Sequence, residues 1–111
     1  MKKLKVYIAG PYTSGDQAVN VANAVKVADK LFKQGFIPYI PHLMHFWHMI
    51  CPHEYDEWMM LDIEWLATCD LFFRLPGESP GADVEERKAV DRCIPVFYNM
   101  DKLVRWTVLN R

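Results

Sequence analysis

Apolar and polar positions change period several times along the chain. Residues 4–10, "LKVYIAG", form a short apolar run that ends in Gly-Pro and predicts a buried strand. "PYTSGD" follows as a loop, with Asp16 suited to cap a helix. From Gln17 to Gln34, Ala18, Val21, Ala22, Val25, Ala28 and Leu31 recur at helical spacing, and Gly35 supplies a C-cap. "FIPYIPH" (36–42) resumes as a strand, and Pro38 assigns it to a sheet edge. An aromatic and His-rich segment runs to about Glu54. In "EYDEWMMLDIEWLATCD" (54–70), Trp58, Leu61, Ile63, Trp65 and Leu66 mark a helix. "DLFFRL" (70–75) predicts a third strand, "PGESPG" (76–81) a loop, and residues 82–92 a short helix. "IPVFYN" (94–99) predicts a fourth strand and "MDKLVRWTVLN" a last helix.

Strands that alternate with helices imply a parallel sheet with right-handed crossovers. Ligands of such sheets bind at the carboxyl ends of the strands, near the switch in strand order. Loops 10–16, 41–53 and 76–81 are therefore expected to gather at one edge. The 111 residues predict a single domain, 1–111, and a 51% apolar composition is enough for a real core. Trp47, Trp58 and Trp106 are expected in that core, with an interface as the alternative.

Charge and cysteine content narrow the function classes. A net charge of −1 leaves no basic footprint for a nucleic acid polymer. The apolar run before Pro11 is too short for a signal sequence, and no stretch is long enough for a membrane span. Three widely spaced cysteines (Cys51, Cys69, Cys93) suggest no disulfide framework, which fits a reducing cytoplasm.

The first loop is neither a Gly-x-Gly-x-x-Gly fingerprint nor a P-loop. Gly10 still permits close backbone approach, Tyr12 offers a ring to a planar ligand, and the following helix offers N–H groups to an anion. Thr13 and Ser14 supply hydroxyls but no charge. The second loop holds His42, His45, His48, Cys51 and His53. Zinc is one reading of that cluster, but steps of three drift around a helix, and HExxH and CxxC are both absent. An aromatic-rich lid or pocket wall is the favoured reading, with no metal and no cofactor.

Acidic residues come from three different elements. Asp62 lies on the helix before the third strand, Asp70 starts that strand, and Glu85 opens the helix after it. Alone, each suits a bland role: solvated face, strand-end cap, or partner of the helix dipole. Glu86 points about 100° away from Glu85 on a helix, so the neighbouring acids do not serve one site.

"VYIAGPY", "GFIPYIPHL", "DIEWLATCD" and "SPGADVEERKA", in this order and at these separations, resemble the nucleoside 2-deoxyribosyltransferase superfamily, which includes 2'-deoxynucleoside 5'-phosphate N-hydrolases. The most specific elements are Ser79, Gly81, Glu85 and Ala89, and then Asp62, Leu66 and Asp70. The resemblance implies a flavodoxin-like (Rossmann-like) α/β three-layer sandwich with about four strands. It implies that Glu85 is a nucleophile for C1' of the sugar, Tyr7 its hydrogen-bond partner, and Asp62 the acid near the departing base. Ser79 falls where the family binds sugar or phosphate, and Tyr12 where it lines the base pocket. Gly10, Thr13, Gly81, His42 and Asp70 complete the expected substrate-binding set. The expected partner is a small nucleoside or nucleotide, and the expected assembly a homodimer or higher homo-oligomer. Hydrolase relatives carry an arginine in the first loop for the 5'-phosphate, and this chain has "PYTSG" there. A non-catalytic nucleotide-binding module on the same fold is the alternative function.

Overall fold

The computed structural model describes residues 2–110. Four parallel strands form one sheet in the order β2-β1-β3-β4, with β1 at Lys5–Ala9, β2 at Ile37–Tyr39, β3 at Leu71–Arg74 and β4 at Val96–Phe97. Alternation along β1 and β3 sends side chains to opposite faces. On one face, Val6, Ile8, Leu71 and Phe73 pack with Ala24, Ala28 and Leu31 of α1 (Gln17–Lys33) and Leu103 of α5 (Met100–Asn110). On the other, Tyr7, Ala9 and Phe72 pack with Leu66 of α3 (Tyr55–Leu66) and with Ala82 and Ala89 of α4 (Pro80–Asp91). The result is the three-layer α/β sandwich, of flavodoxin-like order, that the sequence predicts. Among the described residues, no helix is long and apolar enough to cross a membrane.

Helix ends follow local chemistry. Asp16 caps α1, its Oδ1 accepting from the Val19 N–H at 3.1 Å. Gln34 is the C-cap, one residue before Gly35, and the glycine takes the left-handed backbone (φ +96°) just beyond it. The helix α4 starts two residues earlier than expected, at Pro80. Ser79 is its N-cap and Pro80 takes the first helical position, where a missing N–H costs nothing.

The buried stripe of α1 differs from the expected one. Ala24, Ala28 and Leu31 are buried, whereas Ala18, Ala22 and Val25 are exposed. The 17-residue helix is about 25 Å long against about 17 Å for the five-residue β1, so its first turns overhang the sheet. The second strand ends at Tyr39 because Pro41–Leu43 form a single 3-10 turn leading into a short helix α2 (Met44–Ile50). Trp106 packs on Phe97 and the core, and Trp58 is half-buried, but Trp47 is 47% exposed and is not a core residue. Its helix α2 buries none of its side chains.

Gly10 ends the first strand against β3. A Cβ there would lie 2.7 Å from Leu75 Cβ, so its bare backbone serves close packing of the segments that leave β1 and β3. Gly10→Ala is expected to lower stability by about 1–3 kcal/mol through overpacking, read as a lower urea midpoint with an unchanged slope.

Candidate active site

The loops after β1, β2 and β3 meet α3 and the start of α4 around a cavity of about 560 Å³ at the carboxyl edge of the sheet. It lies beside the β1–β3 junction, the switch point of this strand order. Asp62 and Glu85 both line it, as do Gly10, Tyr12, Thr13 and His42 of the expected set. Ser79 and Gly81 line it from the first turn of α4.

Glu85 is buried in the middle of α4 rather than at its opening, because the helix begins at Pro80. Its Oε2 accepts a hydrogen bond from the hydroxyl of Tyr7, a fully buried residue in the middle of β1. Tyr7 is not part of the cavity lining and meets the site through this bond. Burial raises the Glu85 carboxyl to about 8, against the opposing pull of the Tyr7 hydrogen bond; the charge of Asp62 raises it further and that of Arg74 lowers it. Burial also lifts Asp62 to about 7, and a hydrogen bond from Tyr39 opposes that rise. Two partly desolvated carboxyls in one cavity therefore hold protons at a pH where free acids have lost them.

Glu86 is turned away, as the helical spacing predicts. It accepts from the Tyr98 hydroxyl at 2.6 Å and lies 3.5 Å from Arg74. Arg74 itself binds Asp83 at 2.8 Å and the carbonyls of Leu75 and Gly77, which fixes the turn between β3 and α4. Ser79 contributes to that turn by accepting from the Ala82 N–H at 3.1 Å. At Gly81 a Cβ would sit 3.1 Å from the Tyr55 hydroxyl, so glycine lets α3 and α4 approach at the cavity wall.

Asp70 does not belong to the site. It stands before β3, at the amino edge of the sheet, where its carboxylate accepts from the Lys5 N–H at 2.9 Å and pairs with Lys2 at 3.6 Å. The bland role of strand-end cap is the one the structure gives it, and it is removed from the substrate-binding set.

The histidines are divided among separate partners. His42 Nε2 bonds the Pro11 carbonyl at 3.0 Å, and burial lowers the ring's pKa despite the carbonyls of Pro11 and Gly10. Its Nδ1 has no hydrogen-bond partner of good geometry. His45 Nδ1 bonds the Tyr12 hydroxyl at 2.7 Å, tying the first loop to α2. His48 Nδ1 accepts from the Trp58 indole N–H at 2.8 Å and the His53 N–H at 3.3 Å. This leaves Nε2 to carry the proton of the neutral ring. Among the described residues, no three His, Cys, Asp or Glu side chains converge as a metal site would require. The segment forms an aromatic wall of the cavity, while Cys51 is exposed and outside the lining.

Sequence reasoning missed Tyr39, whose hydroxyl donates to Asp62 Oδ1 at 3.3 Å, and Tyr55 and Met59 in the lining. Spacing along one element could not have revealed Tyr39, because its role depends on which strand β2 pairs with.

Raised carboxyl pKa values cost folded-state stability as pH rises. For Glu85 and Asp62 the folded state holds protons that the unfolded chain has released, so stability falls from about pH 4 to about pH 8. Glu85→Gln keeps an acceptor for Tyr7 and removes the titration. Its expected effect is a Tm gain of roughly 5 °C at pH 8 and little change at pH 4, measured by thermal unfolding across that range.

A 2-deoxyribosyltransferase from the psychrotolerant bacterium Bacillus psychrosaccharolyticus has a similar structure, with a TM-score of 0.57 at 22% sequence identity. The match covers 83% of this chain and 69% of that one, and at this identity it speaks to the fold. No curated protein sequence matches the chain. One family model does, over residues 4–99, spanning every strand and the whole cavity wall. The chain thus belongs to the family described as Domain of unknown function (DUF7768).

Proposed function

We propose that the chain cleaves or transfers the N-glycosidic bond of a nucleoside or nucleotide, with Glu85 as nucleophile. The observation that carries this reading is the pairing of two differently held carboxyls in one cavity: Glu85 with one oxygen bound by Tyr7, and Asp62 on the opposing helix. The similar fold of a 2-deoxyribosyltransferase supports it.

The chemistry follows from those positions. Glu85 attacks in its ionised form, which burial disfavours and the Tyr7 hydrogen bond supports: with Oε2 held by Tyr7 and the proton lost to solvent, Oε1 is left to attack C1' of the sugar. The C1'–N bond breaks through an oxocarbenium-like state, which the nearby carboxylate stabilises. Asp62, protonated near neutral pH by its burial, gives its proton to a nitrogen of the departing base. Asp62 then takes a proton from water or from a second base as that acceptor attacks C1', and Glu85 is released as carboxylate. Tyr55, Trp58 and Met59 offer apolar and aromatic surface to the base.

No Lys or Arg lines the cavity among the described residues, and the Asp16 carboxylate already caps α1 beside the first loop. A 5'-hydroxyl suits this lining better than a phosphate dianion, so nucleosides are the favoured substrates. Assembly as a homodimer or larger oligomer is part of the proposal. The helix α2 exposes Phe46, Met49 and Ile50, an apolar surface of the kind that associates.

The test is incubation with a panel of nucleosides, deoxynucleosides and their monophosphates, following free base by chromatography, with a second base added to separate transfer from hydrolysis. Base release is expected, and Glu85→Gln is expected to lower its rate by on the order of 10³ or more. Undiminished release by that variant overturns the mechanism. Nucleotide binding without turnover supports the binding-module alternative instead.

A further inference from the structure

Tyr7 and Tyr39 are register partners on adjacent strands, so their side chains leave the same face of the sheet. Their rings are 5.5 Å apart. Each hydroxyl reaches a carboxyl carried by a different helix: Tyr7 reaches Glu85 on α4, and Tyr39 reaches Asp62 on α3. The arrangement is doubled, and of its two hydroxyls only that of Tyr7 has a role in the function proposed above.

We propose that Tyr39 is the positioning residue for Asp62, holding Oδ1 of the carboxyl so that Oδ2 is presented to the substrate. This rests on the proposed function for what the presented oxygen does, but the positioning itself is a property of the chain alone. Tyr39 is well suited to the task because its own ring has little freedom. Trp65, one turn after Asp62 on α3, stacks on it at 5.6 Å and 24°, and Tyr7 packs on it as well. The strand fixes its backbone, and the two rings fix its side chain. Trp65 is half exposed, yet it is not idle surface, since it ties the helix that carries Asp62 to the ring that holds Asp62. The 3.3 Å separation is longer than the roughly 2.7–2.8 Å of a relaxed O–H···O bond, as catalytic contacts commonly are before substrate arrives.

The titratable groups facing Asp62 are Tyr39 from β2, Tyr7 from β1, Glu85 from α4 and Tyr55 from its own helix. Of these, Tyr39 is the one that donates a hydrogen bond to its carboxylate. Removing that donor removes support for the charged form, so the carboxyl should titrate higher.

Tyr39→Phe keeps the ring, its stacking and the strand, and deletes the hydroxyl. The primary measurement is the titration of Asp62 by carbon NMR on protein labelled at the aspartate carboxyl carbon, assigned with Asp62→Asn. Its midpoint is expected to move upward by about one pH unit. A midpoint unchanged in the variant overturns the proposal, and this result needs no substrate. With a nucleoside that the wild-type protein cleaves, the variant is expected to lose about tenfold in kcat with KM within about twofold, and the alkaline limb of its rate profile should shift upward. Unchanged kcat and an unchanged limb overturn the proposal even if the fold is intact. Wild-type protein that releases no base from any substrate defeats the proposed function, while the NMR midpoint still decides whether Tyr39 holds Asp62.

Discussion

A single buried hydrogen bond, from the Tyr7 hydroxyl to Glu85, joins the centre of the sheet to the helix that closes the cavity. Its donor belongs to the central strand β1, which pairs with both β2 and β3. Its acceptor is presented by α4, whose start is fixed by Ser79, Pro80 and the Arg74–Asp83 pair. Pulling this bond apart would leave a tyrosine hydroxyl and a carboxyl without partners in an apolar layer, which is costly. The angle at which α4 meets the sheet, and so the cavity's shape, depends on keeping it.

The same layer explains why the site works against the fold. Carboxyls beside Phe72 and Leu66 lose water without gaining a full counter-charge, and Arg74 is largely committed to Asp83 and two carbonyls. Proteins commonly accept such local cost where chemistry needs a shifted pKa. The aromatic rings of Phe72, Tyr7, Tyr39 and Trp65 form a contiguous series, in which Phe72 stacks on Tyr7, Trp65 stacks on Tyr39, and Tyr7 and Tyr39 meet at a tilt. That series holds the acids in low-dielectric surroundings while anchoring them to rigid strands.

Much of this was legible in the chain itself. Strand and helix order, the edge position of β2, the cap at Asp16, and the divergence of Glu86 from Glu85 follow from period, proline chemistry and helical geometry. Ends were less legible. Pro80 and Gly81 look like loop residues, yet a proline at the first helical position and a glycine under Tyr55 are both at home in α4. Asp70 fitted a motif spacing, but spacing along the chain does not say which edge of a sheet a strand-start residue occupies. Trp47 is large and apolar like a core residue, but the short helix α2 buries none of its side chains, and edge-on contacts with Trp58 and His53 leave the ring half exposed. Tyr39 escaped for a deeper reason, since its meaning comes from pairing between segments more than thirty residues apart.

That cross-strand pairing has a consequence for how the protein reaches its native state. Sliding β2 by one residue along β1 would turn Tyr39 to the opposite face of the sheet, away from Asp62 and Tyr7. A three-residue strand carries little information with which to prevent such an error. The hydroxyl of Tyr39 adds some, because only the correct alignment brings it to an acid waiting on α3. The polar contact therefore exists in this register alone, and a molecule in which the site is formed is one whose strands are correctly aligned.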